Sequence, residues 1–447
     1  MRTYLTAQTT PHRLSELAPS NAQVDSHGLP SVWIDPAKYF QTIEGFGGAF
    51  TEAAATNWLA LSEQKRQELT QAYFNVKDGH GYSLCRVHMN SCDFSLGNYS
   101  HVERSGDVDL ASFSISRDEQ ALIPMIRAAQ ASMATPLKLL VSPWSPPAWM
   151  KTNGQMNHGG KLLEQYRSAW AQCYVKFIQA YEAQGIPIWG VSVQNEPAAT
   201  QTWDSCIYSA QEERDFVRDW LGPALHAAGL DRIRIIIWDH NRDLLVERAA
   251  VVYDDLEASK YVWGTGFHWY GEDHLDHLQL HHDAWPEKKL LFTEGCQEGG
   301  SHRGSWALGE RYARSMINDL NRWTVGWIDW NLALNLDGGP NHVSNLCSAP
   351  ILVDGENDSF ELQSSYFYIG HFSRFVKLGA KRILCAATKA ALECTAFINP
   401  DGDVAIVVMN RLDSAQTFQI QMGGAAYPTE LPAHSIATYV VDAPRPT

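Results

Sequence analysis

The sequence predicts a (β/α)8 barrel with an attached β-sandwich built from both chain ends, an α/β architecture. Three observations lead there. Over the middle of the 447-residue chain, short β-rich runs alternate eight times with amphipathic stretches of helical period. The β-rich runs, such as IRIIIWD at 233–239, are almost continuously apolar, as expected of strands covered on both faces. The C-terminal segment has a different pattern: short alternating strands, with Asp401-Gly402 at the tip of a hairpin.

Strands are expected at 43–48, 82–88, 137–142, 188–194, 233–239, 262–269, 289–293 and 325–330. Helices are expected at 52–73, 117–131, 162–183, 211–228, 243–259, 273–285 and 306–322, with an eighth at about 362–375. Residues 1–40 lack helical periodicity but include SVWIDP, so they read as N-terminal strands of the sandwich. The barrel then occupies 41–375, and 376–447 completes the sandwich. Gly45, Gly47 and Gly48 in the first strand are read as permitting close backbone approach beneath the site.

Composition excludes several classes. Hydrophobic residues make up 45% and charged residues 19%, enough for a large core and incompatible with wholesale disorder. A net charge of -15 argues against nucleic acid or an anionic membrane as the main partner. No run of about 18 apolar residues is present to span a bilayer. The start, MRTYLTAQTTPHRLSELAP, has no apolar signal region. The eight cysteines are scattered and form no CxxC. Both features favour free buried thiols in a cytoplasmic, reducing compartment over a secreted protein whose signal is absent from this chain.

Active sites of such barrels lie where the strands end. The polar residues there are Arg86, His88, Asn90 and Asp93 after strand two, and Trp144 after strand three. Asn195 and Glu196 follow strand four, His268 and Tyr270 strand six, and Glu294 strand seven. Asp329, Trp330 and Asn331 end strand eight, with Asn335 and Asn345 in the loop beyond. Glu196 and Glu294 stand out, because a charge ending an apolar strand is costly unless solvated or used. Strands four and seven are read as lying on opposite sides of the barrel, so these carboxyls can flank one small molecule. Paired carboxyls among tryptophans and hydrogen-bonding groups suit glycoside hydrolysis, one protonated and one ionised. In that scheme the charge on Glu294 lifts the pKa of Glu196. Arg86 would pair with a carboxylate and hold it ionised.

Each feature has a plainer reading alone. Asn-Glu-Pro is a common turn, Asp93 and Asn345 suit turns or caps, and His268 suits a satisfied core position. His274, His277 and His281 share a helical face, but on a predicted outer helix, so a solvated face is expected and no metal site. No GxGxxG follows a strand and no GxxxxGK[ST] occurs, so no cofactor is expected. Cys296 has no evident His partner and reads as a packing thiol.

Seven segments carry a resemblance: IEGFGGAFTEAAA, YSLCRVHMNSCDFS, VSPWSPPAWMKTNG, WGVSVQNEP, GFHWY, LLFTEGC and VGWIDWNLALNLDGGPNHVSNL. In order and spacing they resemble the retaining β-glucosidases of glycoside hydrolase family 30, most closely its glucosylceramidase branch. The resemblance implies Glu196 as general acid/base and Glu294 as nucleophile. It implies sugar contacts from Asp93, Trp144, Asn195, Trp330 and Asn345, with Arg86, His268 and Tyr270 orienting the two glutamates. The substrate it implies is a β-glucoside, either glycolipid or oligosaccharide. The alternatives on the same scaffold are β-xylosidase, β-fucosidase and β-1,6-glucanase; a non-catalytic carbohydrate-binding protein is the alternative from another class. Glu52 and His88 depart from the family's Asp and Pro, and His88 is read as lying close to the sugar pocket. The cysteine-rich extension of the lysosomal members is missing. A lipid leaving group, and with it a peripheral lipid contact, would want apolar residues at the barrel mouth, for which Trp203 and Trp306 are the candidates.

Overall fold

The computed structural model describes residues 1–18 and 28–442. Eight parallel strands close into a barrel in chain order: Gly45–Phe50, Leu84–Met89, Lys138–Pro143, Gly190–Ser192, Arg234–Asn241, Val262–His268, Lys289–Glu294 and Thr324–Asn331. Closure is direct, since the eighth strand pairs in parallel with the first, Gly326 opposite Gly45. The first strand contains GFGGAF for a steric reason: a Cβ on Gly47 would lie 1.8 Å from the Leu84 carbonyl oxygen. The strands are buried on both faces, against the helices outside and Leu84, Leu140, Ile236, Leu291 and Ile328 inside.

The helices occupy the expected stretches but are more broken. The stretch after strand one is two helices, Glu52–Leu59 and Glu63–Phe74. Ser62 is extended, and its hydroxyl accepts from the Lys65 amide at 3.3 Å, so a new N-cap interrupts the helix. The stretch after strand four runs Ala210–Phe216, widens to a π-turn over Val217–Leu221 and resumes at Gly222–Ala227. Pro223 sits just beyond the wide turn, where a proline ring clashes with a standard preceding turn. The helix expected at 273–285 starts at Leu275, because His274 is left-handed with φ 36°.

Nine further strands form one sheet drawn from both ends of the chain. Strand Ser31–Thr42 lies inside this sheet, between Lys381–Ala387 and Gln416–Met422. Strand Arg2–Ala7 pairs with Ser435–Val441. Val32, Ile34, Ile383, Ile406, Phe418 and Tyr439 form its separate apolar core. The expected sandwich segments include residues 19–27 and 443–447, which lie outside the described residues. A small three-stranded sheet, Ala333–Asn335, Ile351–Asp354 and Ser359–Leu362, occupies a stretch that the sequence suggested to be loop. All eight cysteines are free thiols. No described helix is long and apolar enough to cross a membrane.

Candidate active site

The strand ends of the barrel converge on one cavity of about 140 Å³. Asp93, Trp144, Asn195, Glu196, Tyr270, Glu294, Trp330 and Asn345 all line it. Arg86 and His268 do not; they are fully buried and contact the lining residues. Strands four and seven are separated by two strands one way round and four the other.

Arg86 organises the site. Its Nε donates to Ser142 Oγ at 2.9 Å, and one Nη donates to Glu294 Oε2 at 2.5 Å. The other Nη reaches Asn195 Oδ1 and Asp239 Oδ2, both at 2.8 Å. The guanidinium plane lies 4.6 Å from the Trp144 ring and 5.6 Å from the Trp330 ring. Those two indoles stack on each other at 5.1 Å. A buried guanidinium keeps its charge and can satisfy several carboxylates at fixed angles.

Glu294 receives its second hydrogen bond at Oε1, from the Tyr270 hydroxyl at 2.8 Å. Glu196 has different neighbours. His268 Nδ1 is 3.3 Å and His240 Nδ1 3.8 Å from its Oε1, and Gln201 donates weakly to Oε2 at 3.4 Å. The Glu196 backbone is left-handed, φ 48°, and is held there because its amide donates to the Asp239 carbonyl at 3.0 Å. Asn195 is held in turn by the Pro143 carbonyl at 2.8 Å. A strained residue pinned from both neighbouring strands gives a fixed carboxyl position. Asp93 Oδ2 accepts from the side-chain amides of Asn341 and Asn345, each at 3.2 Å.

The electrostatics run opposite to the order expected from the sequence. Burial pushes Glu196 up, but His240 and His268 outweigh it and hold the carboxyl at about 2. Burial pushes Glu294 above the usual carboxylate range, and the charge on Glu196 adds to this against the pull of His268 and Arg86. Burial alone would lower His268, but Glu294, Asp239 and Glu196 raise it to about 9. The expectation failed because two imidazoles face Glu196, and their proximity is tertiary.

Two departures from the family pattern prove to lie behind the pocket rather than in it. His88 is not a lining residue: its Nε2 accepts from the Glu52 amide at 3.1 Å and its Nδ1 meets the Asn90 carbonyl at 2.6 Å. Glu52 pairs with Arg117 at 2.9 Å. His88 therefore ties the end of strand two to the helix after strand one. Trp203 lines the cavity, but Trp306 packs between Arg13 and Tyr368 and donates to the His434 carbonyl of the C-terminal sheet. Cys296 lines the cavity as a buried thiol 3.4 Å from the Tyr270 hydroxyl, and burial raises its pKa.

Asp239 and His240 belong to the site although the sequence does not single them out; Asp239 is the more central. It ends strand five, accepts from Arg86, Ser142 and Ser192, and meets His268 Nε2 at 3.0 Å. Burial opposes its ionisation, but Arg86 and His268 hold it well below the usual carboxylate range. The rule that singled out Glu196 and Glu294, a charge ending an apolar strand, applies to it equally.

A (β/α)8 barrel with two inward carboxylates, stacked indoles and side-chain amides around one cavity is the architecture of a glycoside hydrolase. The chain belongs to glycosyl hydrolase family 30: the TIM-barrel domain of that family matches residues 43–376 and its beta sandwich domain residues 379–439. It is 38% identical to mouse lysosomal acid glucosylceramidase over 427 residues, 91% of this chain and 82% of the mouse protein. The solved structure of SrfJ from Salmonella typhimurium is 40% identical, with a TM-score of 0.92 over 99% of this chain and all of that one. The endo-β1,6-glucanase BT3312 is 30% identical, with a TM-score of 0.88 over 98% of each chain.

Proposed function

We propose that this glycoside hydrolase is a retaining β-glycosidase that acts on β-glucosides, with Glu294 as nucleophile and Glu196 as acid/base. One observation carries the reading: the two carboxyls line the same cavity with unlike partners. Both Glu294 oxygens are held by donors, Arg86 and Tyr270, which orient a carboxylate for attack on an anomeric carbon. Glu196 meets the His268 imidazole, a group that can exchange a proton with it, and accepts a weak hydrogen bond from Gln201. Glu294 attacks, the glycosidic oxygen leaves with a proton from Glu196, and Glu196 then takes a proton from the water that releases the sugar. Trp144 and Trp330 wall the ring, and Asp93, Asn195 and Asn345 bond its hydroxyls.

The test is a panel of aryl β-glucoside, β-xyloside, β-galactoside and β-fucoside, with the product anomer followed by NMR. The expected result is a dominant β-glucoside rate, with β-glucose appearing first. An α-anomer appearing first would overturn the retaining reading. A second reading, β-1,6-glucanase, is favoured by the likeness to the β1,6-glucanase structure. Release of oligosaccharides from β-1,6-glucan, faster than hydrolysis of the aryl glucoside, would select it.

The proton of the resting site belongs with His268, which is raised to about 9 and sits 3.3 Å from Glu196. A glycosidic oxygen that displaces water removes solvation from Glu196, and the proton moves onto its carboxyl. Glu196, Asp239, Glu294, His240 and Tyr270 all face His268, so its charge is lost only in alkali. Activity in kcat/KM should fall as pH rises through about 9. In His268→Asn that limb should move by more than about one pH unit; an unmoved limb would place the proton elsewhere.

A further inference from the structure

We infer that Glu196, His240 and His268 form a binding site for a borderline-soft divalent cation, zinc(II) above all, at one wall of the cavity. Among the described residues this is the one group of three or more His, Cys, Asp or Glu whose donor atoms converge, all within 4.8 Å of one another. Glu196 Oε1 lies 3.3 Å from His268 Nδ1 and 3.8 Å from His240 Nδ1. A tetrahedral zinc ion with bonds of about 2.0–2.1 Å holds its ligand atoms roughly 3.3 Å apart. Binding would draw the three donor atoms together from separations of up to 4.8 Å, with His240 moving towards Glu196 from 3.8 Å.

Hydrogen bonding explains part of this arrangement but not all of it. A bond from His268 to Glu196 accounts for one imidazole. It leaves His240 Nδ1 buried with no hydrogen-bond partner among the described residues. The His240 ring is fixed by Trp238, 5.0 Å away. The outer shell is in place as well: His268 Nε2 meets Asp239 Oδ1 at 3.0 Å, the carboxylate–histidine–metal arrangement that orients an imidazole ligand. Glu196 and His240 line the cavity, so the fourth position opens towards it, for water or a sugar hydroxyl. Two imidazoles and one carboxylate suit zinc and copper and disfavour magnesium and calcium. On binding, the proton between His268 and Glu196 leaves to solvent and the metal takes its place.

The functional consequence rests on the reading of Glu196 as acid/base: a cation on that carboxyl stops turnover. The site itself does not depend on it. The test is titration of the full chain with ZnCl2 against a chromophoric chelator, with circular dichroism to verify folding. One equivalent should bind, and His240→Ala should weaken binding by at least about tenfold. His240→Gln is the second variant should the alanine form misfold. His277→Ala should bind as the wild type does, because His277 Nδ1 is already committed to the Arg242 carbonyl. Wild-type chain that binds no zinc, or undiminished binding by the folded His240 variant, would overturn the site. Loss in His277→Ala would overturn it too, moving the cation to the outer helix. Glycosidase activity should fall with the same midpoint and return with EDTA. Stoichiometric binding at His240 with undiminished activity would keep the site and overturn the role of Glu196 instead.

Discussion

Replacing Glu294 by Gln should lower kcat by at least about 1,000-fold, roughly 4 kcal/mol of transition-state stabilisation, with little change in stability. Both oxygens of this carboxylate are anchored, by Arg86 at 2.5 Å and Tyr270 at 2.8 Å. Glutamine keeps the shape: its oxygen can accept from Arg86 while its amide donates to the Tyr270 hydroxyl, which can turn and accept. The fold therefore survives and the nucleophile is lost. Pre-steady-state measurement with an activated aryl glucoside should show no burst of aglycone from the variant. A variant within tenfold of wild type would remove Glu294 from the chemistry.

Replacing Arg86 by Leu should be the most damaging change to stability, about 3–5 kcal/mol at neutral pH. Arg86 is fully buried and neutralises Asp239 and Glu294 together. Its loss strands two buried carboxylates. The pH dependence has a definite sign. In the wild type Asp239 has a depressed folded pKa, so its contribution is present above its unfolded value and is lost as pH falls. In the variant the stranded carboxylates are raised, and protonation at lower pH relieves them. Urea denaturation at neutral pH and near pH 5 should therefore show the gap between the two proteins narrowing in acid. A gap that is constant or widens would mean that lost packing against Trp144 and Trp330 dominates. Adding Asp239→Asn to the leucine variant should recover part of the loss.

Much of the fold could be read in the chain because its signals are local. Each barrel strand is an apolar run within a few residues of its expected position, since burial on both faces writes itself into consecutive residues. Helix breaks were less legible. Ser62 and Pro223 act through single-residue caps and clashes, which a periodicity reading smooths over. The small sheet after strand eight escaped because its strands are only three or four residues long.

The site was legible to the same depth. Glu196 and Glu294 stand where an apolar strand ends in a charge, and seven motifs in order reinforce them. What the chain could not disclose is which groups face which. Asp239 and His240 sit on strand five, His268 on strand six, Arg86 on strand two, and only barrel closure joins them into one network. Chain order therefore names the strands and the charged residues that end them, because those depend on burial along the chain. Tertiary structure decides the ionisation of the two glutamates and the assignment of His88 to the scaffold rather than the sugar pocket, because both depend on distances across the barrel.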